Sequence, residues 1–197
     1  KLHLHFNAFS DNSGKNEHFT PKNIAGFACR LSTWSGSDFG DTLLTAMNLL
    51  AKIVVHNSGN NGIDLKSCDE QDLNLLMYSF TKWKKDDGII KTAVVAIAEV
   101  LGNLDSSGKL KDFSIRILAR LAKYLSQWQR YHNDDIFSCI IVKIAKTVET
   151  IYSEAEKPLN HKLSDLVDLA DAFSLVSGTE IAINPFNGAI DIIAKLF

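Results

Sequence analysis

Apolar residues recur along the chain with the spacing of a helix that buries one face. Four segments, which begin 45 to 49 residues apart, are each apolar at i, i+3, i+7 and i+10. They are Ile24-Phe27-Leu31-Trp34, Leu73-Leu76-Phe80-Trp83, Leu118-Leu121-Leu125-Trp128 and Leu166-Leu169-Phe173-Val176. A hydroxyl residue stands two positions before the last member of each set, at Ser32, Thr81, Ser126 and Ser174. We expect four equivalent helices, with the tryptophans packed in the core.

A second helix is expected after each of the first. Its signature is a branched apolar residue, an alanine and a charged residue. The four copies are Leu50-Ala51-Lys52, Ile97-Ala98-Glu99, Ile144-Ala145-Lys146 and Ile193-Ala194-Lys195. A small residue at a fixed position permits close approach of two helices. The pattern therefore predicts an all-α protein, an α-solenoid of four two-helix repeats, about eight helices in all, of the armadillo or HEAT type.

Turn and capping residues divide the chain in the same way. We expect an N-terminal tail over 1–18 and a single solenoid domain over 19–197, with repeats at 19–64, 65–110, 111–158 and 159–197. Cap signals are Thr20-Pro21, Asn184-Pro185, Ser67 paired with Glu70, and Asn133 before two acids. Because each pair must stack on a neighbour, the first and last helices should be atypical. The apolar ending and the start without Met suggest a piece of a longer protein.

Composition narrows the class of protein. Hydrophobic residues make up 46% of the chain and the net charge is −2, which is typical of a globular domain and not of a strongly basic nucleic-acid binder. No apolar run of about 18 residues is present, so no membrane span is expected. Three widely spaced cysteines, Cys29, Cys68 and Cys139, are expected to be reduced, buried thiols. We therefore expect a soluble, cytoplasmic protein.

Motifs that carry chemistry are missing from the sequence. It has no glycine-rich phosphate loop, no nucleophile elbow and no His-Glu-x-x-His zinc motif. His3 and His5 could share one face of a strand, but no Cys or carboxylate accompanies them at a suitable spacing. We therefore expect no enzyme activity, no cofactor, no metal and no small-molecule substrate.

Charge differs between the last two predicted repeats. Residues 111–158 carry 8 Lys and Arg against 6 Asp and Glu, whereas 159–197 carry 2 against 5. Arg116, Arg120 and Lys123 form a cationic ridge at i, i+4 and i+7, and Asp165, Asp168 and Asp171 form an acidic ridge on the seventh helix. Two explanations stay open at this point. The ridges either compensate each other between stacked repeats or form a dipolar binding surface.

The helices that run into Ser-Thr-Trp34 and Thr-Lys-Trp83 resemble the SKWP repeats of secreted effectors from plant-pathogenic bacteria, and more loosely the octotricopeptide repeats of organellar RNA-binding proteins. The resemblance covers about residues 19–197. Ser35, Lys84 and Gln129 stand where those repeats have proline, and the fourth repeat lacks the tryptophan. The resemblance implies a right-handed helical stack in a bacterial effector that acts inside a host cell, without catalysis.

The favoured hypothesis is a non-enzymatic scaffold that binds a protein, for which a host protein is the expected partner. One alternative is an RNA-binding solenoid of the octotricopeptide kind, and another is a helical accessory domain of a larger enzyme. The candidate partner-binding residues are the charged positions of the first helices: Arg30, Lys82, Arg116, Arg120, Lys123, Asp165 and Asp168.

Overall fold

A computed structural model describes residues 20–34, 40–56, 63–83, 88–132, 134–154 and 162–176, together with Asp191 and Ala194. These residues form seven α-helices and no β-strand, which confirms the all-α class. The helices are α1 Pro21–Thr33, α2 Gly40–Val55, α3 Glu70–Lys82, α4 Gly88–Ser106, α5 Ile115–His132, α6 Asp135–Glu154 and α7 Leu163–Val176. Short 3₁₀ turns cover Leu65–Ser67 and Lys109–Asp112.

The helix count among the described residues is seven, one fewer than the expected eight. The eighth helix was expected after Asn184-Pro185, where only Asp191 and Ala194 are described, both helical. The tail over 1–18 and the predicted cap Asn133 also lie outside the described residues. The division into four repeats stays a prediction.

Side-chain caps fix where two of these helices begin. Thr20 caps α1 as expected: its Oγ1 accepts the Asn23 N–H at 3.2 Å, and Pro21 follows it. At α3 the expected pair of Ser67 and Glu70 is wrong. Asp69 is the N-cap there, and its carboxylate accepts the Asp72 N–H at 2.8 Å. Ser67 lies two residues before this N-cap, inside the 3₁₀ turn.

Glu70 has a different partner. Its Oε2 accepts the backbone N–H of Ser114, just before α5, at 2.8 Å. That N–H lies at the start of a helix, where backbone donors lack partners within the helix. The carboxylate of α3 therefore joins the third helix to the fifth, a contact between residues 44 positions apart.

The helices pack in two rows. In one row α1, α3, α5 and α7 contact each other in that order, and in the other α2, α4 and α6 do the same. Across the rows, α1 packs on α2, α3 on α4 and α5 on α6, and α6 also contacts α7. Three ion pairs of the described residues lie within rows: Lys91–Asp134 at 3.5 Å, Lys143–Asp105 at 3.6 Å and Lys123–Asp168 at 2.7 Å. The pair α1 and α2 thus contacts the pair α3 and α4 through both helices, and that pair contacts α5 and α6 in the same way.

The apolar stripes form the core between the rows. All four stripe residues of α3 and all four of α5 are buried, including Trp83 at 5% and Trp128 at 3% exposure. The expectation of a buried tryptophan is wrong for Trp34, which is 62% exposed, and Phe27 of the same stripe is 38% exposed. Among the described helices, α1 is the first of its row, and its neighbour within that row is α3. The first described helix thus buries less of its stripe than α3 and α5 do.

Small residues mark the close contacts of the second row. Ala51, Ala98 and Ala145 are fully buried, as their fixed position predicts, whereas Ala194 is exposed. Gly102 of α4 gives a further close approach, because a Cβ there would lie 3.0 Å from the Cδ1 of Ile140 on α6. Side chains smaller than a methyl group let the two backbones come this near.

The four hydroxyls near the ends of the odd-numbered helices bond to their own helix. Ser32, Thr81, Ser126 and Ser174 each donate to a carbonyl three or four residues earlier, at 2.7 to 2.9 Å. Such a bond lets a hydroxyl lie on a packed face without a partner from elsewhere. Ser32 and Ser126 are buried in this way.

The cysteines are more accessible than expected. Cys139 is exposed on α6, and Cys29 and Cys68 are partly buried. The prediction of three buried thiols is therefore wrong for Cys139, which lies on the outward face of its helix although its neighbours in sequence are apolar. Among the described residues no helix combines the length and the apolar character needed to cross a membrane.

Candidate functional site

An open groove crosses all four helices of the first row. Its volume is about 530 Å³. The side chains that line it, which we call the four-helix groove, are Cys29 of α1, Asn74, Leu75 and Tyr78 of α3, Arg120, Lys123 and Tyr124 of α5, and Asp168 of α7. These residues lie two turns or less from the start of each stripe and on the side of the helix that faces away from α2, α4 and α6. One surface thus combines side chains separated by up to 139 positions.

Two tyrosines form the aromatic part of this groove. The rings of Tyr78 and Tyr124 have their centroids 5.6 Å apart and are tilted by 51°, a favourable aromatic contact. Burial raises the pKa of the Tyr124 phenol, and the Arg120 guanidinium opposes that rise in part. Because the net shift is upward from the usual pKa of a phenol, Tyr124 is neutral near neutral pH. Tyr124 therefore serves as a hydrogen-bonding group and not as a base.

Lys82 approaches Tyr78 from the next turn of α3. Its Nζ donates to the Tyr78 hydroxyl at 3.2 Å and lies 5.4 Å from the ring centroid. Because the ammonium is much closer to the hydroxyl than to the ring face, the hydrogen bond describes this contact better than a cation–π interaction. Lys82 thereby fixes the orientation of Tyr78 at the edge of the groove.

Charges of both signs meet between α5 and α7. Lys123 Nζ donates to Asp168 Oδ1 at 2.7 Å, and the two side chains are 41% and 26% exposed. This pair agrees with the first explanation of the ridges, compensation between neighbouring repeats. Arg120 forms no ion pair within the described part of the chain. Its guanidinium is therefore the available cation of the four-helix groove.

Asn74 adds a buried amide to the same surface. The residue is 4% exposed, and its Oδ1 has no hydrogen-bond partner among the described residues. A buried carbonyl without a donor costs about 1–3 kcal/mol, a cost that an apolar side chain at this position would avoid.

Two smaller depressions continue the groove along α5. The α5–α7 cleft, of about 270 Å³, shares Lys123 with the groove. The remaining residues that line this cleft are Ser126, Gln127, Arg130, Asp171, Ala172, Ser174 and Leu175. The Trp128 pocket, of about 190 Å³, shares Gln127 and Arg130 with the cleft and adds Thr81, Trp128 and Tyr131. The three depressions are thus linked through shared lining residues.

The structure separates the seven candidate partner-binding residues into three groups. Arg120, Lys123 and Asp168 come together in the four-helix groove, and Lys82 contacts its Tyr78. Arg30 and Arg116 are exposed but line none of the three depressions.

Asp165, the seventh candidate, is buried, and its Oδ2 accepts the Lys162 N–H at 3.2 Å at the start of α7. That carboxylate caps a helix and does not face the groove. The expectation that it lies on an accessible acidic ridge is corrected on this point, and the ridge retains Asp168 and Asp171.

Asn74, Tyr78, Tyr124 and Arg130 were not predicted from the sequence, because the candidates were selected by clusters of charge. The signal that would find one of them, Tyr78, is the repeat register. The fifth position after the first stripe residue is Cys29, Tyr78, Lys123 and Asp171 in the four helices, and each of these residues lines the groove or the cleft. Positions in register across a row share one face of that row.

Outside this surface, the thiol of Cys68 has a strongly raised pKa. Burial raises the pKa of its thiol to about 12, and the nearby carboxylates of Asp72, Asp69 and Asp64 add to the rise. A thiol is a nucleophile only as the thiolate, so Cys68 is inert near neutral pH. The described residues contain no group of three or more His, Cys, Asp or Glu side chains that could hold a metal ion.

A scan against protein-family models found no match, and neither did searches of curated proteins and of solved structures. Function is therefore inferred from the chemistry of the surface along α5.

Proposed function

We propose that this chain is a non-enzymatic scaffold that binds a protein segment in the four-helix groove. We further propose that its two rows of helices are a short α-solenoid of stacked pairs. The four-helix groove is the observation that supports this function best, because it crosses α1, α3, α5 and α7 and offers aromatic, amide and charged groups along one path. Long helical stacks use such surfaces to bind extended partners.

The composition of the groove favours a polypeptide as the occupant. Tyrosine and arginine provide most of the affinity in many protein interfaces, and both occur here as Tyr78, Tyr124 and Arg120. The groove is long enough for a peptide: four helices at spacings of about 8–10 Å span about 24–30 Å, the length of about eight extended residues.

A nucleic-acid occupant fits this surface less well. Lys123 is already paired with Asp168, and Asp171 lies in the adjoining cleft, so carboxylates stand where a phosphate chain would run. Several unpaired cations are needed for tight RNA binding, because each phosphate contact contributes through release of counterions. The proposal that the scaffold is a bacterial effector with a partner in a host cell rests on the resemblance to SKWP repeats alone.

The test is selection from a displayed library of random peptides, followed by affinity measurement on groove variants. We expect enriched peptides whose binding weakens at least about tenfold in Tyr78→Ala and in Tyr124→Ala, since truncation of interface aromatics commonly costs that much. Lys146→Ala is the matched control, because Lys146 is exposed on α6 in the other row. Circular dichroism shows whether each variant keeps its fold.

Two results would contradict the proposal. One is a selection that enriches no peptide above background, and the other is enriched peptides that bind both tyrosine variants as well as the wild type. Fluorescence anisotropy with labelled random single-stranded RNA, at low and near-physiological salt, checks the alternative. Binding that weakens steeply with salt would favour the RNA-binding function.

A further inference from the structure

We propose that the segment bound in the four-helix groove continues along α5 as an extended peptide with two acidic side chains, one of which pairs with Arg120 and the other with Arg130. This inference rests on the proposed function and specifies the chemistry of the partner. Arg120 lines the four-helix groove, and Arg130 lines both the α5–α7 cleft and the Trp128 pocket. The two arginines therefore lie in depressions that are linked through the shared lining residues Lys123 and Gln127.

Spacing along α5 sets the separation of the two acids. Ten residues separate the arginines, and at a rise of about 1.5 Å per residue their Cα atoms are about 15 Å apart along the helix axis. An extended chain advances about 3.3 Å per residue. Carboxylates four or five residues apart in the peptide match this distance, whereas adjacent carboxylates do not.

The ion pairs of the protein decide which cations receive the acids. Neither Arg120 nor Arg130 forms an ion pair or donates a side-chain hydrogen bond to another described residue. Lys123, which lies between them, is paired with Asp168 at 2.7 Å, and Asp171 lines the same cleft. The two aspartates repel a third carboxylate at the centre. The peptide should therefore be acidic at two positions and neutral or basic between them.

Two buried groups without partners favour an extended chain over a helix. Asn74 Oδ1 is an acceptor beside the groove, and Trp128 Nε1 is a donor in the pocket that also contains Arg130. Both residues are at least nine-tenths buried, at 4% and 3% exposure. An extended peptide has unpaired N–H and C=O groups for both, whereas a helix has used its own. Both atoms are covered in this structure, so bordering side chains must turn aside as the peptide binds.

The experiment uses fluorescein-labelled nine-residue peptide pools and fluorescence anisotropy. One pool has Glu fixed at positions 3 and 7, a second has Gln at these positions, and a third has Glu at 3 and 4; all other positions are degenerate. We expect the spaced Glu pool to bind about tenfold or more tightly than the Gln pool, with the adjacent Glu pool in between. The spaced Glu pool can form two charge-assisted pairs with the arginines, the adjacent Glu pool one and the Gln pool none.

Protein variants assign the preference to the two arginines. In Arg120→Gln and in Arg130→Gln the preference for Glu over Gln should fall about fivefold each, and in the double variant it should vanish. Arg30→Gln is the matched control, since Arg30 is exposed on α1 and lines none of the depressions. Asn74→Leu should weaken binding of every pool without loss of thermal stability, because it removes a buried acceptor that the fold leaves unpaired.

The outcomes separate this inference from the proposed function. A spaced Glu pool that binds no better than the Gln pool, up to about 1 mM peptide, overturns the acidic preference but leaves peptide binding intact. The same holds if the preference persists in the double arginine variant. If no pool binds while random RNA does, both the inference and the proposed function fail.

Discussion

Replacement of Trp83 by alanine tests what decides the burial of the stripe tryptophans. The alternatives are the position of the residue in its stripe and the position of its helix in the row. Trp34 and Trp83 occupy the same position of their stripes, yet Trp34 is 62% exposed and Trp83 is 5% exposed. Both residues follow the last turn of their helix, and each backbone N–H donates to a carbonyl three residues earlier, at 3.0 and 3.1 Å. The pair therefore differs mainly in what surrounds the indole ring.

The expected cost follows from the buried area. A buried tryptophan removes about 150–250 Å² from water, which at about 25 cal/mol per Å² corresponds to about 4–6 kcal/mol. Two terms reduce this value. Alanine keeps part of the buried area, and the loss of the unpartnered Trp83 Nε1 relieves a cost of about 1–3 kcal/mol. We expect Trp83→Ala to lower the free energy of unfolding by about 3 kcal/mol, the lower end for tryptophan truncation.

Urea unfolding followed by far-ultraviolet circular dichroism measures this loss without the tryptophan signal itself. The control, Trp34→Ala, should change the free energy of unfolding by no more than about 0.5 kcal/mol, as is usual for an exposed position. Equal losses in the two variants would refute the reasoning, because they would show that the first helix of the row buries its stripe as the inner helices do.

Three further predictions concern backbone geometry, charge and thiol chemistry. Gly108→Ala should destabilise the protein by about 1–2 kcal/mol in urea unfolding, because Gly108 has φ +72°, whereas Gly26→Ala, inside α1 with open space at its Cβ, should stabilise it by about 0.5–1 kcal/mol. A double-mutant cycle on Lys123→Ala and Asp168→Ala should give a coupling of at most about 1 kcal/mol, since both side chains are partly exposed; a larger value would mean that the pair is shielded from solvent. At about pH 8, iodoacetamide should alkylate Cys139 well before Cys68, as peptide mapping by mass spectrometry would show, because burial raises the pKa of the Cys68 thiol to about 12. The folded thiol keeps its proton above 9.0, the ordinary pKa at which the unfolded thiol ionises, so Cys68 makes the stability fall as pH rises from about 9 to 12. Equal alkylation of both thiols would contradict this environment.

Local features of the fold were predictable from the chain. Apolar residues at helical spacing predicted α1 to α7, since a helix shows its buried face in its own sequence. The cap at Thr20 was equally local, because side chain and N–H are three residues apart. The cap of α3 was not recovered: Ser67 and Asp69 both precede the helix, and only the position of the 3₁₀ turn decides between them.

The candidate site was recovered in part. Arg120, Lys123 and Asp168 were found because charge patterns are visible along single helices. Asn74, Tyr78 and Tyr124 were missed, since nothing near them in sequence indicates that they meet residues of three other helices. Asp165 was misplaced for a related reason: its position next to Leu166 at the start of α7 buries it as a cap.

The sequence by itself determined which segments are helical and which face of each is apolar, because both depend on residues within a few turns of one another. The tertiary structure decided which of these faces are covered. Trp34 and Trp83 have the same local pattern, but an inner helix of the row has neighbours on both sides and the first described helix has one. The surface along α5 likewise exists only once the rows form, because its residues come from helices about 45 positions apart and burial is a property of their packing.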